Sequence, residues 1–145
     1  ALADGLAGLR RLIEDARAAA PGLPLLLAGF SQGACLSLEY ALAGRAAPDA
    51  LAALTGCRVG VADDARPEDL PVGLPVYLTG SDADPWIPVE AFAEAALALG
   101  RSRAALRSDL FPGRAHEVSG AEIAMLATML GDMAAGHAPR MAAAR

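Results

Sequence analysis

Three observations predict an α/β fold for this chain. Apolar runs of strand length alternate with stretches of helical periodicity. Most of the runs are apolar throughout, as in strands of a sheet covered on both faces. No repeat or low-complexity linker divides the 145 residues. That length suffices for one domain with a real core, so the expectation is a parallel, helix-covered sheet spanning residues 1–145.

Leu2, Leu6, Leu9 and Ile13 fall at helical spacing, and Pro21-Gly22 stops that first helix. Residues 24–30 then form a continuous apolar run that reads as a doubly covered strand. From Gln32 to about residue 43 the pattern is helical again, with the small residues Gly33 and Ala34 in its first turn. "LAALTGCRVG" gives a second buried strand over residues 51–60, and a polar, proline-bearing loop separates it from "LPVYLTG". In that loop Asp63, Asp64, Glu68 and Asp69 read as a solvated face.

Residues 86–100 are expected to be helical, with Ile87, Phe92, Ala96 and Leu99 on one side. "AALRSDLFPG" alternates instead, Leu106 and Leu110 opposing Arg107 and Asp109, which fits a half-exposed strand at the end of a sheet. A last helix over residues 119–134 is expected to bury Ile123, Leu126, Leu130 and Met133. The tail, 135–145, lacks periodicity and is expected to be loose.

Composition narrows the function classes. Hydrophobic residues make up 54% and charged residues 20%, which suits a globular chain. The net charge of −5, with all 12 basic residues arginine and scattered, argues against a nucleic-acid partner. No stretch is long and apolar enough to span a bilayer, and the first residues read as an amphipathic helix rather than a signal peptide. Cys35 and Cys57 lack framework spacing, so both are expected to be small buried thiols in a reducing cytoplasm. With His116 and His137 they offer no zinc shell, no calcium-binding spacing occurs, and no metal or cofactor is expected. A Gly-rich phosphate loop followed by Lys-Ser/Thr is also missing.

The informative stretch is "LLLAGFSQGAC", where a Gly-x-Ser-x-Gly ends an apolar run. Between strand and helix this motif has a mechanical meaning: the chain turns sharply, the serine takes a strained backbone conformation, and glycines on either side relieve crowding. Ser31 Oγ would then project from the carboxyl end of the sheet, with the Gln32 N–H facing an oxyanion. A serine nucleophile needs a base, and the base an orienting acid, in the order Ser, acid, His for an α/β-hydrolase. His116 follows the last strand, at the end of the sheet where ligands bind in such folds. His137 lies in the tail and reads as solvated. For the acid, "YLTGSDADPWIP" offers Asp84 and Asp82. Asp84 is favoured because Pro85 fixes its backbone, while Asp82 could cap the turn. Trp86 could line the substrate wall or pack in the core.

"GFSQGA" around Ser31, "DPWIP" with Asp84 and "FPGRAHEVS" with His116 together resemble the phospholipase/carboxylesterase family of α/β-hydrolases, which includes acyl-protein thioesterases. The resemblance runs from the first helix to the last. It implies an α/β-hydrolase type parallel sheet with helices on both faces, and a serine hydrolase acting on carboxylic esters or thioesters through an acyl-enzyme. Serine at the elbow separates the chain from dienelactone hydrolases, which carry cysteine there.

Family members have further strands before the first helix, and a His-Gly loop supplying a second oxyanion donor. Nothing in residues 1–30 matches it, so the chain is expected to be the C-terminal portion of such a hydrolase. The strand at 24–30 would then be an uncharged apolar edge, open to pairing with a second copy or a missing N-terminal segment. A non-catalytic fragment acting through association is the competing expectation.

Overall fold

Four strands alternate with helices in the order α1 (Leu2–Ala19), β1 (Leu26–Phe30), α2 (Gln32–Leu42), β2 (Ala50–Leu54), β3 (Pro75–Gly80), α3 (Val89–Arg101), β4 (Ala105–Leu110) and α4 (Gly120–Ala134). The computed structural model describes residues 1–61 and 63–141. All four strands run parallel, in the order β1-β2-β3-β4, with Leu26 opposite Ala50, Leu51 opposite Val76 and Pro75 opposite Ala105.

Parallel neighbours require crossovers, and helices supply them at β1–β2 and β3–β4. The β2–β3 connection is made by residues 55–74 without a helix among its described residues. It is pinned to α2 by a buried ion pair, in which Arg58 donates to Glu39 at 2.7 and 3.1 Å and the Val59 N–H donates to the same carboxylate at 2.9 Å. Leu70 from this segment reaches the core.

The helices cover both faces, unequally. α1, α2 and α3 share one face, where Ile13, Leu38, Leu42 and Leu99 pack on Leu27, Leu51, Val76 and Leu78. α4 lies on the other, where Met125, Met129 and Met133 pack on Ala50, Ala52, Leu54 and Tyr77. β2 and β3 are buried along their whole length. β4 is the half-exposed edge its alternation predicts.

Several sequence expectations need correction. β1 is not doubly covered: Leu27 is buried, but Ala28 is exposed and Phe30 is 40% exposed, because no described element lies beyond it or over Ala28. β2 ends at Leu54 rather than residue 60, because Thr55 takes a left-handed φ of 55° and turns the chain out of the sheet. α3 starts at Val89, not residue 86, since the Asp84 carboxylate holds the Trp86 and Ile87 N–H groups in a turn.

α4 is rotated from its expected stripe. Met133 is buried and Leu126 packs against the core as expected, Met125 and Met129 join them on the sheet side, and Ile123 (55%) and Leu130 (51%) are exposed instead. The cause is Glu122, whose carboxylate is drawn inward by buried hydrogen bonds and sets the face of the first turn. Residues 135–141 are also not loose. His137 N–H donates to the Asp132 carbonyl, Arg140 N–H to the Asp132 carboxylate, Pro139 is buried and Met141 packs beneath α4. The remainder of the expected loose tail, 142–145, lies outside the described residues.

Candidate active site

The carboxyl ends of β1, β3 and β4 converge on one side of the sheet. Ser31 follows β1 directly and caps α2, with φ 55° and ψ −119°. A non-glycine residue there costs roughly 1–3 kcal/mol, and such strain persists only where neighbouring structure enforces it. Two bonds enforce it here: Ser31 N–H donates to the Leu54 carbonyl at 3.0 Å, and the Ser31 carbonyl accepts from Cys35 N–H at 3.0 Å.

Gly29 is the glycine the turn requires, since a Cβ on it would stand 2.4 Å from the Gly33 carbonyl. Gly33 matters as the backbone being approached. Its own Cβ would point into open space, so the expected relief of crowding holds at only one of the two glycines. As the first residue of α2, Gln32 has a backbone N–H with no acceptor within the helix, directed as helix N-terminal donors are.

His116 lies in the segment between β4 and α4. Its Nε2 is 2.8 Å from Ser31 Oγ, and its Nδ1 is 2.8 Å from Asp84 Oδ2. With the proton on Nδ1, facing the carboxylate, Nε2 is free to accept from the serine hydroxyl. The Asp84 side chain is fully shielded from solvent. Burial alone would push its carboxyl up. The bond with His116 and the N–H groups of Ile87 and Trp86 more than offset this, and hold it below the usual carboxylate value. Asp82 points elsewhere, accepting from Gly113 N–H at 2.7 Å and so closing the turn after β4. Of the two aspartates, Asp84 is the one within hydrogen-bond distance of His116.

The structure brings Ser31, Gln32, Asp84 and His116 together, whereas Trp86 stands beside them with 74% of its surface exposed. His137 is exposed on the tail, and Asp63, Asp64, Glu68 and Asp69 form an exposed stretch as expected. Phe30 packs its ring 5.1 Å from the imidazole of His116.

Sequence reasoning missed what braces the histidine segment. Arg114, two residues before His116, donates to the Glu122 carboxylate and, at 2.7 Å, to Thr55 Oγ1. Glu122 also accepts from Thr79 Oγ1, and from the Ser119 N–H (2.6 Å) and hydroxyl (2.9 Å). Ser81 Oγ donates to the Arg114 carbonyl at 2.5 Å. Burial opposes ionisation of Glu122, but Arg114, Ser119 and Thr79 prevail and hold its carboxyl below the usual range. The Ser-x-x-Glu of Ser119 and Glu122 is a capping-box signal visible in sequence, and the structure contains that box. Its arginine partner has no such signature.

A parallel sheet with a strained serine between strand and helix, and a histidine after the last strand, defines the α/β-hydrolase fold. The phospholipase/carboxylesterase family model matches residues 14–133, and the chain belongs to that family. Among solved structures, a phospholipase/carboxylesterase from Dyadobacter fermentans is 31% identical with a TM-score of 0.72, the match covering 86% of this chain and 61% of that one. Esterase PE8 is 23% identical, TM-score 0.70, over 86% and 58% of the two chains. Arabidopsis thaliana SOBER1 is 20% identical, TM-score 0.71, over 86% and 60%. The chain therefore spans about three fifths of the length of these proteins. No curated protein matches it.

Proposed function

We propose that this chain carries the catalytic residues of a serine hydrolase that cleaves carboxylic esters or thioesters through an acyl-enzyme. Ser31 Oγ attacks the carbonyl carbon while His116 Nε2 takes its proton. Asp84 keeps the imidazole in the tautomer that can do so and stabilises the imidazolium that forms. The Gln32 N–H donates to the developing oxyanion. His116 then returns the proton to the leaving alcohol or thiol, and water repeats the sequence to release the acid. Loss of one oxyanion donor costs about 10²–10³ in rate, so the Gln32 N–H bears on turnover as well as on labelling.

The observation that carries this reading is the unbroken relay from Ser31 to His116 to Asp84, both steps 2.8 Å, on a serine with φ 55°. Intact-mass labelling with a fluorophosphonate tests it. A single adduct on the folded parent, absent from Ser31→Ala, supports an activated serine. A folded parent that takes no adduct refutes it.

A second reading rests on β1. Its outer edge is apolar and uncharged, Ala28 is exposed, and a strand edge of that kind is a template for pairing. Association of the chain through this edge is the corresponding function. Concentration-dependent oligomers with an unreactive Ser31 would favour it over hydrolysis.

A further inference from the structure

Cys35 and Cys57 come from segments 22 residues apart, yet their sulfurs stand 3.9 Å from each other. Both are free and half-buried rather than the sequestered thiols the sequence suggested. The approach is built into the backbone: Gly56 sits so close to α2 that a Cβ on it would lie 2.5 Å from the Ala34 Cβ and 3.1 Å from the Cys35 nitrogen. The Cys57 N–H is aimed at the Cys35 sulfur, 3.3 Å away, and so favours negative charge on it. Cys35 also lies in the first turn and a half of α2, where the helix N-terminus acts in the same direction. It opens onto a surface groove of about 440 Å³ shared with Gln32, Leu36 and Val59, which gives a small solute access.

From this geometry we infer that Cys35 and Cys57 form a dithiol site for a hydroperoxide oxidant, Cys35 being attacked first and Cys57 resolving it to an intramolecular disulfide. The Cys35 thiolate displaces hydroxide from hydrogen peroxide. Its sulfur gains the distal oxygen as a sulfenic acid, and the hydroxide takes up a proton. The Cys57 sulfur then attacks the Cys35 sulfur, water leaves with the Cys57 proton, and the S–S bond forms. Two thiols are oxidised by two electrons and one peroxide is reduced to two waters.

The electrostatics agree with that order. Sharing the Cys57 thiol hydrogen is the main influence bringing Cys35 down to about 6; burial opposes it and the Cys57 N–H assists. The same bond, with burial, pushes the Cys57 thiol up. A low-pKa thiol that solvent reaches through a groove, beside a protonated partner, is the arrangement that oxidises reversibly rather than to sulfinic acid. The inference stands apart from Ser31 and does not need the chain to be a hydrolase.

The test is treatment of the reduced, folded chain with hydrogen peroxide at neutral pH, followed by peptide mapping without reductant. The expected result is a cross-linked pair of peptides containing Cys35 and Cys57, reversed by dithiothreitol. In Cys57→Ser, Cys35 should stop as a sulfenic acid trapped by dimedone. In Cys35→Ser, Cys57 should give neither product at a comparable rate. An absence of the cross-link in the folded parent overturns the inference, whether the cysteines stay reduced, go on to sulfinic acid or join two chains. Equal trapping of Cys57 in Cys35→Ser overturns the assigned order.

Discussion

β1 and β4 are the two edges of one sheet, and each delivers a residue to the same site by a different physical means. β4 is finished as an edge should be: its residues alternate, and Arg107 and Asp109 pair with each other while Tyr77 donates to Asp109 at 2.8 Å. The segment that follows it holds His116 with a buried polar network centred on Arg114 and Glu122. β1 has no charged residue and leaves Ala28 exposed, and Ser31 after it is held in its strained conformation by two main-chain hydrogen bonds and one close glycine approach. The histidine is therefore positioned by side-chain hydrogen bonds and the serine by the main chain. Disturbing the two sides should have different signatures.

The largest effect is expected on the histidine side, at the carboxylate that touches it. Asp84→Asn should slow fluorophosphonate labelling of Ser31 by about 10³–10⁴-fold, because the amide favours the wrong imidazole tautomer. Asp82→Asn should leave the rate near the parent's, since an amide oxygen still accepts from Gly113 N–H. Comparable losses in the two variants would erase the distinction between them.

The network comes next. Glu122→Ala leaves the buried Arg114 guanidinium without its carboxylate and should cost about 3–5 kcal/mol in urea unfolding. Arg114→Met combined with Glu122→Leu should recover most of that stability, as apolar replacements of buried pairs often do. Labelling should nonetheless be slower than in the parent in the double variant, because the His116 segment has lost its side-chain bonds to Glu122 and Thr55 and keeps only those of its main chain to Ser81 and Asp82. Full recovery of both would make the network purely structural. Glu122 and Asp84 also set an acid limit. Both have folded-state values below the unfolded ones, so their contribution is complete above about pH 4–5 and disappears as pH falls through the folded values. Unfolding midpoints should drop through that window, less steeply in the double variant.

On the serine side, Gly29→Ala should cost roughly 1–3 kcal/mol, since the added methyl meets backbone that cannot rotate away. The adduct should still form in whatever fraction folds. Smallest in stability is Ala28→Lys, expected within about 0.5 kcal/mol at this exposed position. Its reading is association: sedimentation of the parent should depend on concentration, and the added charge should suppress that. A parent that stays monomeric at every concentration would remove the second reading.

The element order, the parallel sheet and the turns and loops that carry Ser31, Asp84 and His116 were legible because each rests on a local pattern: an apolar run, a strand-to-helix glycine turn, a loop following a strand. What escaped depends on contacts between distant segments. The rotation of α4 follows from Glu122 being pulled inward by Arg114 and Thr79, 8 and 43 residues away. Periodicity alone read the apolar stripe through Ile123 and Leu130. The Cys35–Cys57 contact depends on how closely the turn after β2 meets α2, which no spacing encodes. The order of Tail residues 135–141 depends on Asp132 and the underside of α4.

The most direct test of the central claim is to capture the acyl-enzyme itself. The reduced, folded chain is mixed with a nitrophenyl ester of a short fatty acid, quenched in acid within the first turnover, and mapped by peptide mass. The acyl group should be found on Ser31, be lost in His116→Ala and be unaffected by Cys35→Ser. Acylation found on Cys35 instead, or none on a chain shown to be folded, would contradict the account.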